Sequence, residues 1–115
     1  MRILLIEDEP MIALDLQDLL EDAGFNIVGV AGKLEDALAL IGTAAIDAAI
    51  VDANLGGVSS RPAAVALAEK HVPFIVLSGY SPKQQEEAFP KALFIQKPCR
   101  PAQLINALRA MGVRR

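Results

Sequence analysis

Aromatic residues and cysteine are scarce in this sequence of 115 residues. Phe, Tyr and Trp make up 4% of it and hydrophobic residues 53%, so the core must be built from Leu, Ile, Val and Ala, which favours helices packed on a sheet. The one cysteine, Cys99, excludes an intramolecular disulfide, and no cluster of Cys and His suits zinc. A lone cysteine fits a reducing compartment, so we expect a cytoplasmic protein.

Long apolar runs and basic runs are lacking as well. No apolar run approaches the ~20 residues of a membrane-spanning helix, and the chain turns acidic at Glu7, too early for a signal peptide. We therefore expect no membrane partner and a natural chain that begins at Met1. The net charge is −3 and no basic run stands out apart from the final Arg114-Arg115, which argues against direct binding of nucleic acid.

Short apolar runs alternate with amphipathic stretches along the chain. The apolar runs predict five strands, at residues 2–6, 25–31, 48–51, 74–77 and 92–96. The amphipathic stretches predict five helices, from Pro10 to a stop at Gly24, over 33–41, from the caps Ser59 and Ser60 to Lys70, from Ser81 to before Pro90, and over 101–111. This alternation predicts one doubly wound α/β domain over 1–115, with parallel strands, helices on both faces and no separate output domain.

Polar side chains follow four of the predicted strands. Glu7 and Asp8 follow the first strand, Asp52 ends the third, Ser78 follows the fourth and Lys97 follows the fifth. Because the carboxyl ends of parallel strands share one edge of the sheet, we expect these groups to converge there. Three crowded carboxylates favour a hard divalent cation with oxygen ligands, and Mg²⁺ with one or two carboxylates suits phosphoryl chemistry.

These motifs resemble the receiver domain of the response regulators of two-component signalling. The resemblance covers essentially the full length and is carried by Glu7-Asp8, the segment Val51 to Gly57, Ser78-Gly79-Tyr80 and Lys97-Pro98. It implies a flavodoxin-like sheet with strand order 2-1-3-4-5. Within the family, residues 73–80, with Phe74 followed by Ser78-Gly79-Tyr80, and residues 95–98 are similar to a subgroup of small, often stand-alone regulators of alphaproteobacteria.

The resemblance implies a phosphoacceptor site without an enzymatic output. Asp52 would be the nucleophile that takes a phosphoryl group from a phosphohistidine on a sensor histidine kinase or histidine phosphotransfer protein. Glu7, Asp8, Asp52 and the backbone carbonyl of Asn54 would hold Mg²⁺. The domain would then catalyse only its own phosphorylation and dephosphorylation.

The resemblance also implies a switch near the fourth and fifth strands. Lys97 and Ser78 would bind the phosphoryl oxygens, and Pro98 would follow a cis peptide that aims Lys97 inward. Movement of Ser78 would let an aromatic residue, Phe94 by position, turn inward, with Tyr80 as a second aromatic nearby. A downstream protein would bind the surface formed by the fourth helix, fifth strand and fifth helix.

The chain departs from the family pattern after Asp52 and in the fourth helix. Gly56 stands where most receivers have proline, Ser60 stands where glycine is usual, and the fourth predicted helix is short. These departures hardly affect the predicted acceptor site, but they bear on the switching mechanism.

Other functions fit parts of the pattern. Taken singly, each polar residue has a structural explanation, such as an acidic first helical turn or a surface charge. An aspartate-nucleophile phosphatase of the haloacid dehalogenase type shares the chemistry but places an Asp-x-Asp pair after its first strand, where this chain has Glu7-Asp8. A flavodoxin-like cofactor binder would need a Ser/Thr-rich phosphate loop there. A receiver-like interaction scaffold without phosphorylation is the remaining alternative.

Overall fold

Strands and helices alternate along the chain. The computed structural model describes residues 1–78, 93–96 and 100–112. Its elements are β1 (Arg2–Ile6), α1 (Pro10–Asp22), β2 (Asn26–Ala31), α2 (Leu34–Thr43), β3 (Ala48–Asp52), β4 (Asn54–Leu55), β5 (Val58–Ser59), α3 (Arg61–Glu69), β6 (Phe74–Ser78), β7 (Leu93–Gln96) and α4 (Pro101–Gly112).

Five strands form one parallel sheet in the order β2-β1-β3-β6-β7. Numbered within this sheet alone, the order is 2-1-3-4-5, so the expected flavodoxin-like topology is confirmed. Strands β4 and β5 lie outside the sheet and pair with each other as an antiparallel hairpin between β3 and α3. This hairpin was not predicted from the sequence.

The sheet is covered on both faces, because side chains point alternately to either side of each strand. On β3, Ala49 and Val51 pack with the buried residues of α2 and α3, whereas Ala48 and Ile50 pack with those of α1 and α4. β3 is therefore buried along its whole length and central to the core.

Most predicted boundaries agree with the structure. Gly24 follows α1 with a φ of +95°, the left-handed conformation in which glycine carries no steric penalty. α2 continues past Gly42 to Thr43, whose hydroxyl donates to the carbonyl of Ala39 at 2.9 Å. Four helices lie in the described ranges, and the predicted helix between Ser81 and Pro90 lies outside the described residues.

The start of α3 corrects one prediction. The side chain of Ser60 caps no helix amide. Instead, the hydroxyl of Ser59 accepts a hydrogen bond from the backbone N–H of Arg61 at 3.2 Å. Ser60 is completely buried, so its side chain faces the interior while its backbone begins the helix. Among helices of the described ranges, none combines the length and apolar character needed to cross a bilayer.

Candidate functional site

Strands β1 and β3 bring two carboxylates side by side at the carboxyl edge of the sheet. Their register pairs Ile6 with Val51, so Glu7 and Asp52 are the next residues on neighbouring strands. The N–H of Glu7 donates to the carbonyl of Ala31 at 2.9 Å, which extends the pairing with β2 beyond the end of β1. Glu7 and Asp52 are 3% and 7% exposed, so backbone pairing fixes two nearly buried acids next to each other.

Asp8 completes a cluster of three carboxylates. A carboxylate oxygen from each of Glu7, Asp8 and Asp52 lies within 4.8 Å of the others. The Glu7 carboxylate also accepts a hydrogen bond from the N–H of Glu9 at 3.1 Å, just before Pro10 begins α1. This bond orients the Glu7 side chain within the loop that carries Asp8.

The donor set fits a hard divalent cation. Three carboxylates at such spacing repel one another, and a cation bound by their oxygens removes that repulsion. Mg²⁺ takes one or two carboxylates and keeps several water molecules, and Asp8 is only half-buried, which leaves room for water on one side. The sequence prediction that Glu7, Asp8 and Asp52 converge is therefore confirmed as geometry.

A tight turn lies beside Asp8. Gly56 and Gly57, with φ angles of +60° and +90°, join β4 to β5 in the backbone conformation of a type I′ turn. A Cβ atom on Gly56 would lie 3.7 Å from Oδ2 of Asp8. A two-residue Gly-Gly connection between short extended segments is a known hairpin signal, so the sequence itself contains the pattern that predicts this turn.

A cleft opens on the same side of Asp8. It has a volume of about 320 Å³ and lies between the hairpin and the start of α2. Leu34, Leu55 and Val58 supply apolar lining, and Lys33 and Glu35 add one charge of each sign. Asp8 is thus the member of the carboxylate cluster that borders open space.

Ser78 ends the neighbouring strand β6. The register pairs Asp52 with Leu77, and the N–H of Ala53 donates to the carbonyl of Leu77 at 2.9 Å. Ser78 therefore comes next to the backbone that follows Asp52, and it is 2% exposed. The predicted position of Ser78 at the shared edge is confirmed.

The remaining predicted residues belong to the last part of the sheet. Gln96 of β7 pairs with Ser78, and Lys97 is the next residue in the sequence. Lys97, Pro98 and Tyr80 lie outside the described residues. Phe94 lies on β7 opposite Val76, and its side chain is likewise outside the described set.

The comparison with protein families identifies this arrangement. The family described as "Response regulator receiver domain" matches residues 3–109. The chain belongs to this family. Receiver domains are signalling domains of two-component systems, act with kinases or phosphotransfer proteins and with downstream partners, and generally bind Mg²⁺ at an acidic pocket.

Individual relatives agree with the family assignment. The chain is 32% identical over 111 residues to the transcriptional regulatory protein PdtaR of Mycobacterium tuberculosis. It is 36% identical over 104 residues to the phyllosphere-induced regulator PhyR of Methylorubrum extorquens. These alignments cover 93% and 87% of this receiver domain but only 54% and 39% of the two relatives.

A solved structure matches over almost its whole length. The solution structure of SdrG from Sphingomonas melonis Fr1 is 40% identical, with a TM-score of 0.80, and the match covers 96% of this chain and 94% of SdrG. The receiver fold therefore accounts for nearly all of both chains.

Proposed function

We propose that this receiver domain accepts a phosphoryl group on Asp52 from a phosphohistidine of a sensor histidine kinase or phosphotransfer protein. The single observation that carries the proposal is the nearly buried Asp52 within a cluster of three carboxylates at the carboxyl edge of the sheet. Burial and neighbouring carboxylates both disfavour the charged form of a carboxylate. A carboxylate used only as a surface charge therefore needs neither burial nor two acidic neighbours.

Asp52 would act as the nucleophile in the transfer. A carboxylate oxygen of Asp52 attacks phosphorus, the bond from phosphorus to the imidazole nitrogen of the donor breaks, and the nitrogen keeps the electron pair. The product is an acyl phosphate on Asp52. In-line phosphoryl transfer depends mainly on positioning and charge stabilisation, so a fixed carboxylate at a strand end is well suited to it.

Glu7, Asp8, Asp52 and the backbone carbonyl of Asn54 would hold Mg²⁺. When bound, the ion neutralises charge on the phosphoryl oxygens. Glu7 contributes from a nearly buried position fixed by the N–H of Glu9, whereas half-buried Asp8 borders the cleft. The two acids would therefore bind the ion from different sides. Glu7 would bind it from the buried side, and Asp8 from the side from which ligands enter.

Ser78, Lys97 and Phe94 would couple phosphorylation to a partner. Ser78 would donate its hydroxyl to the phosphoryl group, and Lys97 would supply a second, charged contact after a cis peptide before Pro98. Phe94, or Tyr80, would then change its packing. The altered surface would lie on the segment 81–90, β7 and α4, and would shift the population of a protein-binding state.

The surface next to the acidic cluster suits a protein donor. Met11 and Leu14 are 73% and 54% exposed on the first turns of α1, which begins two residues after Asp8. Exposed large apolar side chains grouped at a site indicate contact with another protein. A donor protein that covers them would bring its phosphohistidine to the carboxyl edge.

Two alternatives are less well supported. A phosphatase would need to admit and release small substrates, and the family match gives a signalling domain instead. An interaction scaffold without phosphorylation would not require three converging carboxylates. A cytoplasmic location and a single domain over residues 1–115 stay predictions.

Intact-mass spectrometry tests the proposal. The parent protein, incubated with acetyl phosphate and Mg²⁺, should gain ~80 Da, the mass of a phosphoryl group. Asp52→Asn should gain nothing, because the amide is a far weaker nucleophile than a carboxylate.

Asp47→Asn is the matched control, since Asp47 lies at the opposite end of the same strand region and should leave the adduct unchanged. An adduct of equal yield on Asp52→Asn would overturn the proposal. So would a parent that gains no phosphoryl group and, in a separate experiment, does not bind beryllium fluoride, a non-covalent mimic of that group.

A further inference from the structure

The β4–β5 hairpin occupies the loop that follows Asp52. The φ angles of Gly56 and Gly57, +60° and +90°, are those of the two central residues of a type I′ turn. Such a turn needs positive φ at both positions, which Gly, Asn and Asp tolerate and other residues rarely do. Proline, usual at position 56 in receivers, has φ fixed near −65° and is incompatible with this turn. Position 56 therefore requires a backbone conformation that proline cannot adopt.

The hydrogen-bond pattern of the hairpin determines the direction of one carbonyl. Leu55 pairs with Val58 next to the turn, and the N–H of Ser60 donates to the carbonyl of Ala53 at 3.2 Å. In an antiparallel ladder, hydrogen-bonded and non-hydrogen-bonded pairs alternate. The intervening pair, Asn54 and Ser59, is therefore non-hydrogen-bonded, and the carbonyl of Asn54 points away from β5.

Both ends of the hairpin lie close to the carboxylate cluster. At its base, the N–H of Ala53 donates to the carbonyl of Leu77, directly after Asp52. At its tip, the Cβ position of Gly56 is 3.7 Å from Oδ2 of Asp8. Asn54 lies between these two points and two residues after Asp52, so its backbone lies near the cluster.

We infer that the Gly56-Gly57 turn positions the carbonyl of Asn54 as a ligand for a divalent cation bound by the carboxylates. Gly56 and Gly57 would act as positioning residues that set the path of the backbone. This inference rests on the proposed function, since it requires that the cluster binds Mg²⁺. It adds that the affinity of the cluster for Mg²⁺ depends in part on a backbone turn that supplies no ligand atom.

A matched pair of substitutions at one position tests the inference. Gly56→Asn creates the Asn-Gly sequence preferred in type I′ turns, whereas Gly56→Val introduces a β-branched side chain that disfavours positive φ. Gly24→Val is the control for strain alone, because Gly24 has a φ of +95° after α1, outside the hairpin. Mg²⁺ affinity is measured by isothermal titration calorimetry on each folded variant.

We expect Gly56→Asn to stay within about twofold of the parent and Gly56→Val to bind Mg²⁺ at least about tenfold more weakly, as variants in the support of metal ligands do. Gly24→Val should lower the melting temperature and keep the parent affinity. If Gly56→Val does not fold, Gly56→Ala replaces it, with a smaller loss in the same direction.

The outcomes separate the inference from the proposed function. A parent that binds no Mg²⁺ refutes the metal site itself. A parent that binds Mg²⁺ with equal affinity in all folded variants refutes the role of the turn. Equal losses in Gly56→Asn and Gly56→Val would also overturn it, because any side chain beside Asp8 would then be the cause.

Discussion

The two ends of the β1–β3 pair use acidic residues in opposite ways. At the amino end, Asp47 meets a cation and an amide: its Oδ2 lies 3.9 Å from Nε of Arg2 and accepts the N–H of Arg2 at 2.7 Å. At the carboxyl end, Glu7, Asp8 and Asp52 meet one another. At the amino end, these two strands thus pair one acid with a hydrogen-bond donor. At the carboxyl end, they place three acids next to one another.

The difference separates an acid that is paired with a donor in the fold from acids whose mutual repulsion we expect to lower its stability. Asp47 satisfies the first amide of β1, so its charge is used within the structure. The cluster brings like charges together in a nearly buried position, and their repulsion costs free energy. A bound cation would remove this cost. Functional sites commonly keep such local costs.

The largest expected effect is stabilisation of the carboxyl end by Mg²⁺. At a hundredfold excess over its dissociation constant, a ligand that binds only the folded state adds about 2.7 kcal/mol to the free energy of unfolding. For a domain of this size we expect a rise of about 10 °C in melting temperature. Asp8→Ala should lose most of this rise and Asp47→Ala should keep it, as measured by calorimetric melting with and without Mg²⁺.

An equal rise in Asp8→Ala would mean that the ion binds elsewhere. Na⁺ at matched ionic strength distinguishes binding at the cluster from general screening of charge.

A second prediction concerns the same two variants in EDTA, where their effects should have opposite signs. Asp8→Ala removes a like charge from the cluster and should stabilise the domain by about 1 kcal/mol, or about 4 °C. Asp47→Ala leaves the N–H of Arg2 without its acceptor and should destabilise it by a similar amount. Melting curves at pH 7 compare the two directly. Loss of stability in both would show that the cluster carries no net repulsion in the folded state.

The hydrophobic pattern was sufficient to predict the sheet and the convergence of the acids. Once alternating apolar runs assign parallel strands, the residues that follow the strands share one edge of the sheet. That Glu7 and Asp52 end neighbouring strands followed from the strand order that the family resemblance implies. The spacing within the cluster did not follow from the sequence, since it depends on the register of Ile6 with Val51. Register is set by long-range packing, which a single sequence pattern does not contain.

The hairpin and the start of α3 were missed for local reasons. Gly56-Gly57 follows the third predicted strand, and two glycines between short extended segments also predict a type I′ hairpin. Ser59 and Ser60 both suit a helix cap, and only the path of the hairpin decides that Ser60 turns inward and Ser59 accepts the N–H of Arg61. Competing local preferences of this kind are settled by tertiary contacts.

The smallest expected effect tests what holds Asp47 at the amino end. The side chain of Arg2 is 54% exposed and its Nε lies 3.9 Å from the Asp47 carboxylate, a geometry in which exposed ion pairs contribute about 0.5 kcal/mol or less. The backbone N–H of Arg2 donates to the same carboxylate and survives any substitution of the side chain except proline. Arg2→Ala should therefore lower the melting temperature by no more than about 2 °C, a difference that 1 M NaCl should abolish. A loss as large as that of Asp47→Ala would show that the ion pair, and not the amide, makes the acid at this end stabilising.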